Sequence, residues 1–114
     1  MLAREYRLRR RKDFARLHRR GKITHSNSFS LKYMPNQLGH NRAAVIISTK
    51  IDKRAVLRNR TRRRFYAALQ ELWPQLETGY DIVILTRHPA LDLKGDKLKQ
   101  ELYSTCQRSG LINS

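Results

Sequence analysis

A chain of 114 residues with 39% hydrophobic content fits one small domain with one modest core, and leaves no room for a second. Its 25 lysines and arginines against nine acids give a net charge of +16 and an isoelectric point of about 11.1, so a polyanionic partner is expected, nucleic acid ahead of an anionic membrane surface. No run approaches the roughly 18 apolar residues of a membrane span, and the N-terminus lacks the apolar stretch of a secretory signal, so the expected location is the cytoplasm.

In chain order, residues 1–10 form a basic tail expected to be disordered without its partner. Residues 11–20 follow as a short helix with Gly21 as its stop, placing Phe14, Leu17 and His18 on one side. Residues 28–34 alternate, with Phe29, Leu31 and Tyr33 on one face and Ser28, Ser30 and Lys32 on the other, the pattern of a half-buried strand. Pro35 to Asn41 supplies turn chemistry and Ala43 to Ser48 is strongly apolar, which predicts a hairpin, with residues 22–26 as a possible edge strand. A helix from about Ala55 to Leu72 comes next. At about 100° per residue, Leu57, Thr61, Phe65, Ala68, Leu69, Leu72 and Leu76 make its core stripe, while Val56, Asn59, Arg60, Arg63, Tyr66 and Ala67 lie on the far side. Trp73-Pro74 ends the pattern. Tyr80 to Thr86 is apolar almost throughout, as for a strand at a sheet centre, and residues 94–108 make an amphipathic helix with Leu98, Leu102, Tyr103 and Cys106. The order αβββαβα predicts one α+β domain over residues 1–114, a two-layer sandwich of helices on a sheet.

The charge is segregated along the chain. Ten basic residues lie between positions 1 and 24 and eight between 50 and 64, with only Glu5, Asp13 and Asp52 among them. A charge run is often no more than a solvated face, but two around a neutral remainder favour a phosphate-binding surface, formed in common if they converge in space. Guanidinium groups grip phosphate in bidentate fashion, and Phe14, Phe29, Tyr33 and Tyr66 are candidates to stack on unpaired bases, with core packing the competing explanation. No catalytic constellation appears. The acids are scattered, Asp92 and Asp96 suit helix capping, and His18, His25, His40 and His88 fall in different elements without ligand spacing. Cys106 is the only cysteine, so neither an intramolecular disulfide nor a cysteine zinc cluster is available.

Ser48-Thr49-Lys50, followed by Ala55-Val56-Leu57-Arg58-Asn59-Arg60-Thr61-Arg62-Arg63, resembles the hallmark of the protein subunit of bacterial ribonuclease P. The stretches LRRRKDFARLHRRG and YDIVILTR extend the resemblance over essentially the whole chain. It implies a mostly antiparallel central sheet with a left-handed βαβ crossover. It also implies a subunit that assists removal of the 5′ leader of precursor tRNA while the RNA subunit carries the chemistry and holds most of the Mg2+. The partners implied are ribonuclease P RNA, in a 1:1 complex, and precursor tRNA, with no membrane. By the same resemblance Lys50, Lys53, Arg54, Arg58, Asn59, Arg60, Arg62 and Arg63 bind RNA, a cleft with Phe14, Leu17, Phe29 and Tyr33 takes the leader, and no side chain alone holds a metal. The chain departs from the family pattern at Thr49, Ala44, Tyr66-Ala67 and His18, the last standing where an aromatic often lines the cleft. A ribosomal or chaperone-like RNA-binding module and an autonomous RNA-cleaving enzyme are the alternatives.

Overall fold

In a computed structural model, which describes residues 2–113, seven regular elements follow the expected order. They are α1 (Arg11–Arg20), β1 (Lys22–His25), β2 (Phe29–Pro35), β3 (Arg42–Ile46), α2 (Ala55–Leu72), β4 (Tyr80–Thr86) and α3 (Gly95–Ser109). The four strands form one mixed sheet in the order β1-β2-β4-β3. Pairing is antiparallel for β1 with β2 and for β2 with β4, and parallel for β3 with β4, the two strands joined through α2.

The expected hairpin of β2 with β3 does not form, because β4 lies between them. Ile82, Val83 and Ile84 are buried on both faces of the sheet, and only a central strand buries both sets. The turn residues between β2 and β3 serve as a bridge over the start of β4. Asn36 N–H donates to Gly79 O at 2.8 Å, Tyr80 N–H donates to Asn41 Oδ1 at 2.7 Å, and Asn36 Nδ2 donates to the buried Asp81 at 2.9 Å.

Alternation along the strands separates two layers. Phe29, Leu31, Ala43, Val45, Ile82 and Ile84 face α2 and α3 and form the main core with Phe65, Leu69, Leu98 and Leu102. Phe29 and Phe65 meet edge to face with centroids 5.5 Å apart. On the opposite face Ala44 and Val83 pack with Leu17 of α1 and with Leu8. The α1 helix ends at Gly21, whose N–H donates to Leu17 O at 2.8 Å; a Cβ there would stand 2.4 Å from that oxygen, so the close approach requires glycine.

The predicted core stripe of α2 is buried from Thr61 to Leu76, and Leu57 in the first turn is half-buried. Tyr66 departs from expectation. It is 7% exposed rather than on a solvent face, and its hydroxyl accepts the Val45 N–H at 3.2 Å. The cause is the position of α2 beside β3, an edge strand whose outward N–H groups require acceptors. Tyr66→Phe is expected to cost about 1–3 kcal/mol by stranding that N–H, measurable as a lower denaturant midpoint with an unchanged slope.

Residues 2–10 pack along the domain. Leu2 and Leu8 are buried, Leu8 N–H donates to Ala43 O at 3.0 Å, and Arg7 bridges Ala43 in parallel. The segment covers the outer edge of β3, leaving Arg4, Arg9 and Arg10 exposed. Met1 lies outside the described residues.

A candidate nucleic-acid interface on two faces of the sheet

Lys50 and Lys53 are exposed in the loop from β3 to α2. Asp52 organises that loop. Its carboxylate accepts the Arg54 N–H at 2.8 Å and the Arg54 guanidinium at 3.1 and 2.9 Å, while its carbonyl accepts from Arg58 at 2.8 Å. The side-chain bond from Arg54, then the backbone one, hold the Asp52 carboxyl down to about 2 from its ordinary 3.8. A depressed carboxyl stabilises the folded loop fully above the ordinary value and loses that contribution as pH falls towards the depressed one. The Asp52 resonance in an NMR titration is therefore expected to move near pH 2, with the Arg54 N–H shift following it; a midpoint at the ordinary 3.8 would contradict the arrangement.

The first turn of α2 has no acid and no side-chain cap, so arginines crowd a helix end that itself favours anions. Arg62 donates to Asn59 Oδ1 at 2.7 Å, and half-buried Arg64 reaches Leu91 O. Arg60 and Arg63 are exposed and have no ion-pair partner among the described residues. They share the solvent face with Asn59 and with Val56, which is 67% exposed. Of the eight expected RNA-binding residues, Lys50, Lys53, Asn59, Arg60 and Arg63 are directly available, whereas Arg54 and Arg58 first brace the loop and Arg62 braces Asn59.

A groove opens on the other face of the sheet, between α1 and the strands. Phe14 and Leu17 form its helical wall, and Ile46, Val83 and Leu85 its apolar floor. His18 and Lys32 form the polar part, with Lys32 Nζ 2.9 Å from His18 Nδ1. Two of the four expected cleft residues are not here. Phe29 is fully buried in the main core and Tyr33 packs beside Tyr80, both on the α2 side, because residues of β2 alternate and Lys32 is the one facing α1. Lys32, Ile46, Val83 and Leu85 are the groove residues that the sequence reading missed.

The basic windows do not merge into one patch. The sheet separates α1 from α2, which pack on its opposite faces. An ion network fastens α1 to the sheet. Asp81, with its side chain 1% exposed, accepts two bonds from Arg42 at 2.9 and 2.8 Å, Asp13 lies 3.4 Å from Arg42, and Arg16 lies 3.4 Å from Asp13 and 3.6 Å from Asp81. The bond to Asp81 raises the Arg42 guanidinium above its ordinary range, against the opposing effect of burial.

Three of the six remaining acids, Glu71, Glu77 and Glu101, also have structural partners. Glu101 accepts from Ser26 and Ser28 and pins the β1–β2 turn, and Glu71 pairs with Lys99. The expected capping by Asp92 and Asp96 is not seen: α3 has no side-chain cap, and Asp96 acts only through its charge in the first turn. Burial pushes the Cys106 thiol up to about 12, consistent with an inert packing role. Among the described residues no three His, Cys, Asp or Glu side chains gather in metal-binding geometry, and none of their helices is long and apolar enough to cross a membrane. The arrangement offers two contact surfaces for a polyanion.

A family model described as Ribonuclease P matches residues 2–110. The ribonuclease P protein component of Cyanothece sp. is 36% identical, with 99% of this chain and 98% of that protein covered. That of Synechococcus elongatus is 39% identical, covering 98% and 96% respectively. Among solved structures, the RNase P protein of Staphylococcus aureus matches with a TM-score of 0.85 at 24% identity, over 95% of this chain and 98% of that one. The protein from Thermotoga maritima matches with 0.81 at 22%, over 90% and 96%. At these identities the structural likeness speaks for the fold.

Proposed function

The chain belongs to the ribonuclease P protein family, and from that premise we propose how its two faces divide the work of an endoribonuclease that matures tRNA. The outward face of α2, with Lys50 and Lys53 of the preceding loop, binds ribonuclease P RNA. The groove under α1 takes the 5′ leader of precursor tRNA as a single strand. Chemistry belongs to the RNA, which coordinates the Mg2+, and one protein serves one RNA in the cytoplasm. The observation that carries this reading is the exposed Arg60 and Arg63, unpaired among the described residues, on a helix whose core stripe is buried from Thr61 to Leu72. Such an array is repelled by itself and relieved by phosphate. The engagement of Asp13, Asp52, Asp81 and Glu101 in structural bonds supports leaving proton transfer and metal binding to the partner.

Competition binding tests this function. At moderate salt, ribonuclease P RNA is expected to displace labelled RNA of the same kind far more effectively than an unrelated structured RNA of equal length. Equal competition would indicate a general RNA-binding protein instead.

A further inference from the structure

A second depression borders α1 on the flank away from the groove. Its cavity, of about 410 Å3, has Arg10, Lys12, Arg16 and Arg19 on the α1 side and Arg42 at the start of β3. The helix period separates the two flanks. Lys12, Arg16 and Arg19 make one stripe at i, i+4 and i+7, Phe14, Leu17 and His18 make another, and the two cavities share no residue. Two carboxylates lie near this flank and both are committed. Asp13 and the buried Asp81 brace Arg42, while Arg16 approaches them only to 3.4 and 3.6 Å. The buried Nε of Arg16 has no acceptor among the described residues and its side chain is 40% exposed, so the acids do not use up its donors. Arg10, Lys12 and Arg19 are exposed and bonded to no acid among the described residues. Five cations therefore meet two carboxylates, an excess of three.

Cations gathered in this way repel one another, and an anion with several acceptor oxygens relieves them. We propose that this flank of α1 is a further RNA site, in which Arg10, Lys12 and Arg19, backed by Arg16, hold backbone phosphates of folded RNA and not of the leader. This rests on the chain acting as an RNA-binding subunit. The wall fits phosphate alone: Leu38 is its one apolar residue, so it lacks the floor that Val83 and Leu85 give the groove. A strand lying in the groove is screened from this flank by the helix itself. The phosphates therefore come from ribonuclease P RNA or from the body of the tRNA, two sources of the same chemistry.

Lys12→Gln with Arg19→Gln removes two of the exposed cations without touching a buried group. Lys22→Gln with Lys97→Gln, two exposed lysines elsewhere, controls for the loss of net charge. Three quantities are measured for each protein. They are its affinity for ribonuclease P RNA, the affinity of the reconstituted holoenzyme for tRNA without a leader, and the leader contribution, taken as the ratio of holoenzyme affinities for precursor and leaderless tRNA. The expected result is a loss of roughly tenfold or more in the first or the second, the worth of one charge-assisted bond. The salt dependence of that affinity should become shallower by at least about 1 in log–log slope, while the control pair stays near the wild type and the melting temperature holds. A loss in the first assigns the phosphates to ribonuclease P RNA, and a loss in the second alone assigns them to the body of the tRNA. Affinities equal to those of the control pair, or a loss confined to the leader contribution, overturn the site and leave the RNA-binding reading intact. A wild-type protein that prefers neither ribonuclease P RNA nor its substrate overturns both.

Discussion

Replacing Arg60 and Arg63 together by alanine is expected to weaken binding of ribonuclease P RNA by roughly 30- to 700-fold, on about 1–2 kcal/mol for each exposed charge-assisted phosphate contact. The slope of log affinity against log salt should fall by about 2, one for each contact. Both side chains are exposed and bonded to no acid, so their loss opens no cavity and strands no partner. Thermal stability should be unchanged or slightly raised, because the helix sheds two like charges at its crowded end. Arg58→Ala makes an instructive contrast. Its guanidinium donates to Asp52 O, so that substitution loosens the loop as well as removing a cation. Unchanged RNA affinity in the Arg60, Arg63 variant would refute the assignment of this face.

Asp81→Ala is expected to destabilise the protein by about 3–5 kcal/mol, because removing one member of a buried ion pair leaves the other charge uncompensated. Arg42 would lose both of its short bonds and Asn36 its buried acceptor. For a domain of this size the melting temperature should fall by on the order of 15 °C. The same carboxylate connects β4 to Arg42 of β3 and, through Asp13 and Arg16, to α1. Where the variant remains folded, the leader contribution to precursor binding should therefore fall more than affinity for ribonuclease P RNA, since α2 rests on the other face of the sheet. A melting temperature within a few degrees of the wild type would show that the network is dispensable.

Much of this architecture is legible in the residues. The bounds of α2 follow from its apolar stripe and from Trp73-Pro74, and the central place of β4 follows from a run that is apolar on both faces. What periodicity does not contain is the partner of each face. Alternation in β2 sorts Phe29 and Tyr33 from Ser30 and Lys32, but not which set lies under α1, and the aromatic set belongs to the main core. Of the polar set, Lys32 lines the groove. Tyr66 is hidden for a similar reason: only the non-local approach of α2 to the edge of β3 gives its hydroxyl a backbone partner. The turn chemistry of Asn36, Gly39 and Asn41 is real, yet it bridges over a strand that arrives much later in the chain. In residues 2–10 the arginines dominate the composition, while Leu2 and Leu8 decide the packing.

The most direct test of the central claim is the rate of 5′ leader removal from a precursor tRNA by ribonuclease P RNA at low magnesium, with and without this protein. A large acceleration that requires both components, and that is lost in the Arg60, Arg63 variant, is the predicted result. No acceleration despite demonstrated RNA binding, or cleavage sustained by protein freed of all RNA, would contradict it.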